Sequence, residues 1–100
     1  MTRVATGLLA ASLFVAMPVA AQAAGYYAAT PATAPAKDSL IVRSTVWHCD
    51  AGQCTAAKGD ARDTIVCQAV AQQLGKLSAF AADGKPFDAA ALESCNAHAH

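Results

Sequence analysis

Residues 39–54 decide the fold, and they read SLIVRSTVWHCDAGQC. The first part of this stretch is dense in β-branched residues, which favour strands. Ala51 and Gly52 then supply two residues suited to the centre of a tight turn. The pattern predicts one strand starting at Ser39 and running as far as Cys49, which reverses at this turn into a second strand.

Alternation of side chains divides the predicted strand into two faces. One face carries Leu40, Val42 and Val46, and the other carries Ile41, Arg43, Thr45, Trp47 and Cys49. We expect the valine side to face the core, with Trp47 covering part of the other side or packing under a helix.

The cysteines indicate a disulfide framework. The chain has four cysteines, Cys49, Cys54, Cys67 and Cys95. An even number in a small exported chain is typical of such a framework, although spacing alone leaves three pairings open. The hairpin places Cys49 opposite Cys54 as a non-hydrogen-bonded pair, whose α-carbons approach to about 4.5 Å, within reach of a disulfide. This favours Cys49–Cys54 and leaves Cys67–Cys95.

Redox and zinc chemistry are the alternatives for these cysteines. A thioredoxin-type motif has two residues between its cysteines at a helix start, whereas Cys49 and Cys54 are separated by four residues in a hairpin. A four-cysteine zinc site would call for a second close pair. Structural disulfides are therefore the preferred interpretation.

Two helices are expected after the hairpin. Asp60 is a suitable N-cap for the first helix, which carries Cys67 and ends at Gly75. Asp88 is a suitable N-cap for the second helix, which carries Cys95. Pairing these two cysteines would tie the helices together.

A second hairpin is expected between the helices. Asp83 and Gly84 form a dipeptide typical of a type I′ turn, and Pro86 restricts the returning strand to a sheet edge. The fold class is α+β, in the order β-β-α-β-β-α, with short antiparallel strands.

The first 23 residues have the pattern of a removable signal peptide. Arg3 gives a positive start, a mostly apolar run extends over residues 4–19, and residues 21–23 form an A-x-A site. Cleavage is expected between Ala23 and Ala24, with a site before Gln22 as the alternative. A membrane anchor is less favoured, because the run is shorter than a bilayer-spanning helix.

The rest of the chain divides into a domain and two flanking segments. Residues 24–37 are rich in Ala, Thr and Pro and are interpreted as an extended tether. Residues 38–97 form the predicted disulfide domain, and residues 98–100 a frayed tail.

Charge excludes several classes of partner. Without Arg3 the chain has six basic and seven acidic residues, and no basic cluster. Nucleic acid and membrane surfaces are therefore not expected as partners of the mature form. The sequence also lacks a spacing typical of a catalytic triad, and its acidic residues have structural explanations, so an enzyme and a cofactor are not expected.

Two candidate sites remain. Trp47, taken as exposed together with Tyr26 and Tyr27, is a candidate contact for an unknown protein or envelope component, because aromatic residues dominate interfaces. The alternative function is weak metal binding by His98 and His100, with His48 as a further ligand.

The chain resembles a family of small exported bacterial proteins of unknown function. The resemblance covers nearly the whole chain and rests on these residues: Val46, Trp47, His48, Cys49, Gly52, Cys54, Ile65, Val66, Cys67, Gly75, Leu77, Ser78, Ala79, Phe80, Cys95 and Asn96. It implies the same fold and compartment and carries no activity to transfer. The expected function is a non-enzymatic binding or structural module of the cell envelope.

Overall fold

The computed structural model describes residues 25–100. The predicted signal peptide and its cleavage position between Ala23 and Ala24 lie outside the described residues. Within the described part, no helix combines the length and apolar character needed to cross a membrane.

The domain consists of six strands and two helices. In chain order they are β1 Tyr27–Pro31, β2 Ser39–Val42, β3 Thr45–Asp50, β4 Gln53–Ala56, α1 Asp63–Leu74, β5 Leu77–Ala82, β6 Lys85–Pro86 and α2 Ala89–Asn96. The strands form one sheet in the order β2-β3-β4-β1-β5-β6, and every neighbouring pair is antiparallel. The α+β class is confirmed.

Strand β1 lies inside the segment that the sequence predicted as a tether. It pairs with β4 on one side and β5 on the other, and Tyr27, Ala29 and Pro31 are buried. The tether interpretation and the domain start at residue 38 are therefore wrong. Alanine and threonine occupy the alternate positions of β1, so the hydropathy contrast that usually marks a half-buried strand is weak.

The predicted single strand after Ser39 is in fact two strands, β2 and β3. Arg43 and Ser44 form a two-residue turn between them, with φ angles of 51° and 68°. Val42 therefore pairs with Thr45, and the face pattern shifts across the turn. Val42 and Trp47 share the buried face.

Ile41 and Val46 consequently point away from the core. They are opposite each other in the sheet and are 62% and 51% exposed. The expectation that the valine side faces the core is wrong at Val46, because the two-residue turn pairs Val46 with Ile41 and so places both on the exposed face.

The cysteine hairpin agrees with its prediction. Ala51 and Gly52 have φ angles of 52° and 80°, which places Cys49 opposite Cys54 with their α-carbons 3.9 Å apart. The two residues form a disulfide, and Cys67 and Cys95 form the second. Asp83 and Gly84 form the other predicted turn, which places the short β6 at the sheet edge.

Helix α1 begins later than predicted. Arg62 occupies the N-cap position, without a capping side-chain hydrogen bond, so the prediction of Asp60 as N-cap is wrong. Gly75 ends the helix as predicted, with a φ of 88° and its amide donating to the Ala71 carbonyl at 2.9 Å.

Helix α2 is fixed at both ends. The Asp88 carboxylate accepts from the Ala91 amide at 2.8 Å, as predicted for the N-cap. At the other end, the Asn96 side chain donates to the Leu77 carbonyl and accepts from the Leu77 amide, both at 2.8 Å. Asn96 thus pairs with the start of β5 much as a neighbouring strand would.

The last residues continue the turn after α2. The His98 amide donates to the Cys95 carbonyl at 3.1 Å, and the Ala99 amide donates to the Asn96 carbonyl at 3.0 Å. Ala99 packs against the core. The predicted frayed tail is therefore held to the domain at these two positions.

The core lies between one face of the sheet and the two helices. Its large side chains, Tyr27, Trp47 and Phe80, come from three strands, and Val66 and Val70 come from α1. The opposite face of the sheet carries exposed residues, including Ile41 and His48.

Candidate functional site

A pocket of about 270 Å³ opens where the sheet meets the beginning of α1. Its walls come from three separate parts of the chain. These are the 43–44 turn with the residues beside it, the loop of residues 58–61 together with Val66 of the helix that follows it, and Tyr27 at the start of β1. A volume of this size is just below the usual range for small-molecule sites, which begins at about 300 Å³.

Two stacked aromatic side chains lie at the inner wall of the pocket. Tyr27 and Trp47 have ring centroids 5.8 Å apart and ring planes 14° apart, and each is 1% exposed. Tyr27 also packs on Phe80 at a centroid distance of 6.0 Å. Because strands β1 and β3 and the core behind them fix these rings, this wall is rigid.

The 43–44 turn gives the pocket one side of its mouth. Both central residues have positive φ angles, a conformation that costs a residue other than glycine about 1 kcal/mol. The other two tight turns place Gly52 and Gly84 at the second central position. The turn beside the pocket therefore keeps two larger side chains at the expense of local stability.

The 58–61 loop gives the other side of the mouth. The Gly59 amide donates to the Tyr27 hydroxyl over 3.5 Å, a long hydrogen bond. A Cβ atom on Gly59 would lie 3.3 Å from the Thr45 hydroxyl oxygen, so the loop passes close to β3. Glycine at this position permits that approach.

Charged side chains border the pocket. Arg43 and Lys58 are positive and Asp60 is negative. The Lys58 ammonium lies 5.2 Å from the centre of the Tyr26 ring, a cation–π contact that joins the 58–61 loop to the residue before β1. The lining thus combines two cations, one carboxylate and the hydroxyls of Ser44 and Thr45.

The predicted aromatic contact site is not at the surface. Trp47 and Tyr27 are buried in the core, so the prediction of an exposed partner contact at Trp47 is wrong. The two-residue turn before Trp47 places it on the buried face with Val42. Tyr26 is partly buried and lies edge-on to Tyr27, with centroids 4.8 Å apart.

The predicted metal ligands are not brought together. His48 lies on the open face of the sheet between Ser39 and Thr55, whereas His98 and His100 follow α2. Among residues 25–100, no group of three or more side chains of the metal-binding types converges. All four cysteines are in disulfides.

Sequence reasoning missed the residues that line the pocket. Arg43 and Ser44 interrupt a run of strand-forming residues without glycine, proline or asparagine, so the usual turn signals are absent. Gly59 was the one available signal, because an isolated glycine before a helix indicates either a turn or a close approach of the backbone.

A protein-family model matches most of the chain. The model of a family of unknown function, DUF8200, matches residues 10–97. No curated protein and no solved structure matches the chain.

Proposed function

Because the chain belongs to DUF8200, a family of unknown function, its role has to be argued from its own geometry, and we propose an exported, non-enzymatic binding module of the cell envelope. The ligand is a small polar molecule or group that enters the pocket between the 43–44 turn and the 58–61 loop.

The observation that carries this proposal is the unfavourable turn at the mouth of the pocket. Asn-Gly at these positions would satisfy the positive φ angles with less strain than Arg43 and Ser44 do. Residues held in unfavourable backbone conformations cluster at binding and active sites. Since both side chains line the pocket, a role for them in binding accounts for the strain.

The disulfides support the exported location. Bridges of this kind persist in oxidising compartments and are rare in the cytosol. The two bridges here cross-link the cysteine hairpin and the two helices, and a domain of this size needs such support. The signal-peptide pattern of residues 1–23 agrees with the same location.

The chemistry of the pocket supports binding over catalysis. A serine or cysteine nucleophile requires a neighbouring base. The cysteines are in disulfides, and His48 lies on the opposite face of the sheet from Tyr27 and Trp47. The groups that do line the pocket, Arg43, Lys58 and Asp60, are suited to holding a charged or polar ligand.

Fluorescence of Trp47 tests the proposal directly, because Trp47 is the single tryptophan of the chain and lines the pocket. Purified protein from the exported fraction is screened against a library of small polar molecules, with amide NMR spectra to locate each hit. We expect hits to change the fluorescence and to shift the amides of Ser44, Thr45 and Gly59.

A matched pair of turn variants provides the control. Arg43→Asn with Ser44→Gly removes the pocket side chains and keeps the turn, whereas Ala51→Asn changes the turn at the cysteine hairpin. We expect the first to lose binding and the second to retain it. Hits that bind the Arg43→Asn, Ser44→Gly protein as well as the unaltered protein would contradict a site at this pocket.

Mass spectrometry of the same exported fraction tests the location. A mature chain beginning at Ala24 and carrying no free thiol is expected. An intact N-terminus beginning at Met1 would contradict export through a cleaved signal.

A further inference from the structure

We infer that the pocket binds an oxyanion, namely the carboxylate or phosphate group of a small molecule. The inference rests on the proposed binding function and adds the chemical class of the ligand. It follows from the hydrogen-bonding groups of the pocket, which are mostly donors.

The first donor is the Tyr27 hydroxyl. Its oxygen accepts the long 3.5 Å hydrogen bond from Gly59, which places the hydroxyl at the pocket wall. Within residues 25–100 the hydroxyl proton meets no acceptor, although Tyr27 is 1% exposed. Buried hydroxyls are nearly always paired, so this proton favours an acceptor that enters the pocket.

Further donors come from the same wall. The long hydrogen bond leaves the Gly59 amide poorly satisfied by Tyr27, so it is available to a better acceptor. The Trp47 indole N–H also meets no acceptor within residues 25–100, and Trp47 lines the pocket. A backbone amide and a phenol at one pocket wall, beside an indole-bearing residue, suit a ligand that only accepts hydrogen bonds.

Charge at the mouth favours the same ligand. Arg43 and Lys58 contribute two positive charges and Asp60 one negative charge. A guanidinium recognises carboxylate and phosphate with two hydrogen bonds, and an ammonium adds attraction. Asp60 opposes an anion, which predicts that its removal strengthens binding.

The size of the pocket limits the ligand. A volume of about 270 Å³ accommodates a phosphate or a short carboxylic acid and leaves little room for a large organic group. The apolar side chains of Val42, Ala61 and Val66 line the remaining wall, so the part of the ligand behind the oxyanion is small and apolar.

Titration at constant ionic strength tests the inference. The probes are inorganic phosphate and acetate, which separate the two oxyanion types, with neutral glycerol as the comparison. Trp47 fluorescence gives the affinity, and the amides of Ser44, Thr45 and Gly59 give the location. At least one oxyanion is expected to shift these amides saturably.

Four variants sharpen the test. Tyr27→Phe keeps the ring and removes the hydroxyl, and Lys58→Gln removes one cation, so each is expected to weaken oxyanion binding about tenfold. Asp60→Asn is expected to strengthen it several-fold. Lys85→Gln removes a cation outside the pocket and is expected to leave the affinity unchanged.

The outcomes separate this inference from the proposed function. If glycerol or another neutral molecule shifts the pocket amides and both oxyanions fail to, the binding module stands and the oxyanion inference is wrong. If Lys58→Gln and Lys85→Gln reduce oxyanion affinity equally, the anion is attracted by the general charge of the protein, and the inference is wrong. If Tyr27→Phe and Asp60→Asn bind as the unaltered protein does, the anion lies elsewhere and the inference fails.

Discussion

The region around α2 and the region around the pocket both join a helix to the sheet, yet they are held by different contacts. At α2, the Asn96 side chain makes two hydrogen bonds of 2.8 Å to Leu77, and a disulfide ties Cys95 to α1. At the pocket, the Gly59 amide reaches Tyr27 over 3.5 Å, and the neighbouring turn is unfavourable.

This difference shows where the molecule concentrates its stability. Regions that bind ligands are often drawn from the less stable parts of a fold, because their polar groups are kept for the ligand. The α2 region satisfies the Leu77 backbone with two short hydrogen bonds, whereas the pocket region has one long hydrogen bond and a turn with two positive φ angles. Changes at α2 should therefore alter stability, and changes at the pocket should alter binding.

The largest expected effect is the loss of the disulfide at α2. Cys67 and Cys95 are 28 positions apart, whereas Cys49 and Cys54 are 5 apart, and a bridge that closes a longer loop restricts the unfolded chain more. Replacing both cysteines of the α2 bridge by serine should lower the free energy of unfolding by about 3.5 kcal/mol, against about 2 kcal/mol for the hairpin bridge.

Urea denaturation followed by circular dichroism measures both double variants under the same conditions. If removing the hairpin bridge lowers the free energy of unfolding as much as removing the α2 bridge, or more, stability is not concentrated at α2.

The next effect concerns Asn96. Asn96→Ala removes both hydrogen bonds to the Leu77 backbone and leaves the partly buried amide and carbonyl of Leu77 without these partners. The free energy of unfolding should therefore fall by about 2 kcal/mol. Ser94→Ala, at an exposed position of the same helix, should change it by less than about 0.5 kcal/mol. Thermal unfolding of the two variants under the same conditions measures the difference. If both variants lose the same stability, the Asn96 hydrogen bonds do not contribute specifically to it.

The smallest effect is a gain at the pocket. Arg43→Asn with Ser44→Gly should raise the free energy of unfolding by about 1 kcal/mol, because the new residues adopt the positive φ angles with less strain. Chemical denaturation measures the change. A loss of stability would show that the Arg43 and Ser44 side chains stabilise the domain, and their unusual conformation would then need no role in binding.

Local signals were sufficient for most elements of the fold. The Ala51 and Gly52 turn placed Cys49 opposite Cys54, which in turn left Cys67 for Cys95. Gly75 marked the end of α1. The turn, the hairpin disulfide and the helix end each depend on residues a few positions apart, and such short-range geometry can be inferred from sequence. The distant Cys67–Cys95 pairing followed by elimination.

The remaining features depend on contacts that have no local signal. Tyr27 and Ala29 are buried because strands distant in the chain pair on both sides of β1, and an alanine-rich segment gives little hydropathy pattern. The predicted environment of Trp47 is wrong because the 43–44 turn contains no glycine, proline, asparagine or aspartate, so the sequence did not reveal the turn. The pocket combines three separate segments and was therefore not predictable before the order of the strands was known.

The central position of β1 also affects how the domain assembles. Tyr27 pairs with Ala56 and with Ala82, so the earliest strand of the described chain finds its partners among strands that come well after it. Pairings so distant in sequence form late and slowly, since a long loop must close before the contact stabilises it. The sheet cannot be completed until β6, at Lys85–Pro86, has been synthesised. Until β5 pairs with it, β1 has an unpaired edge, whose backbone amide and carbonyl groups are free to pair with another strand.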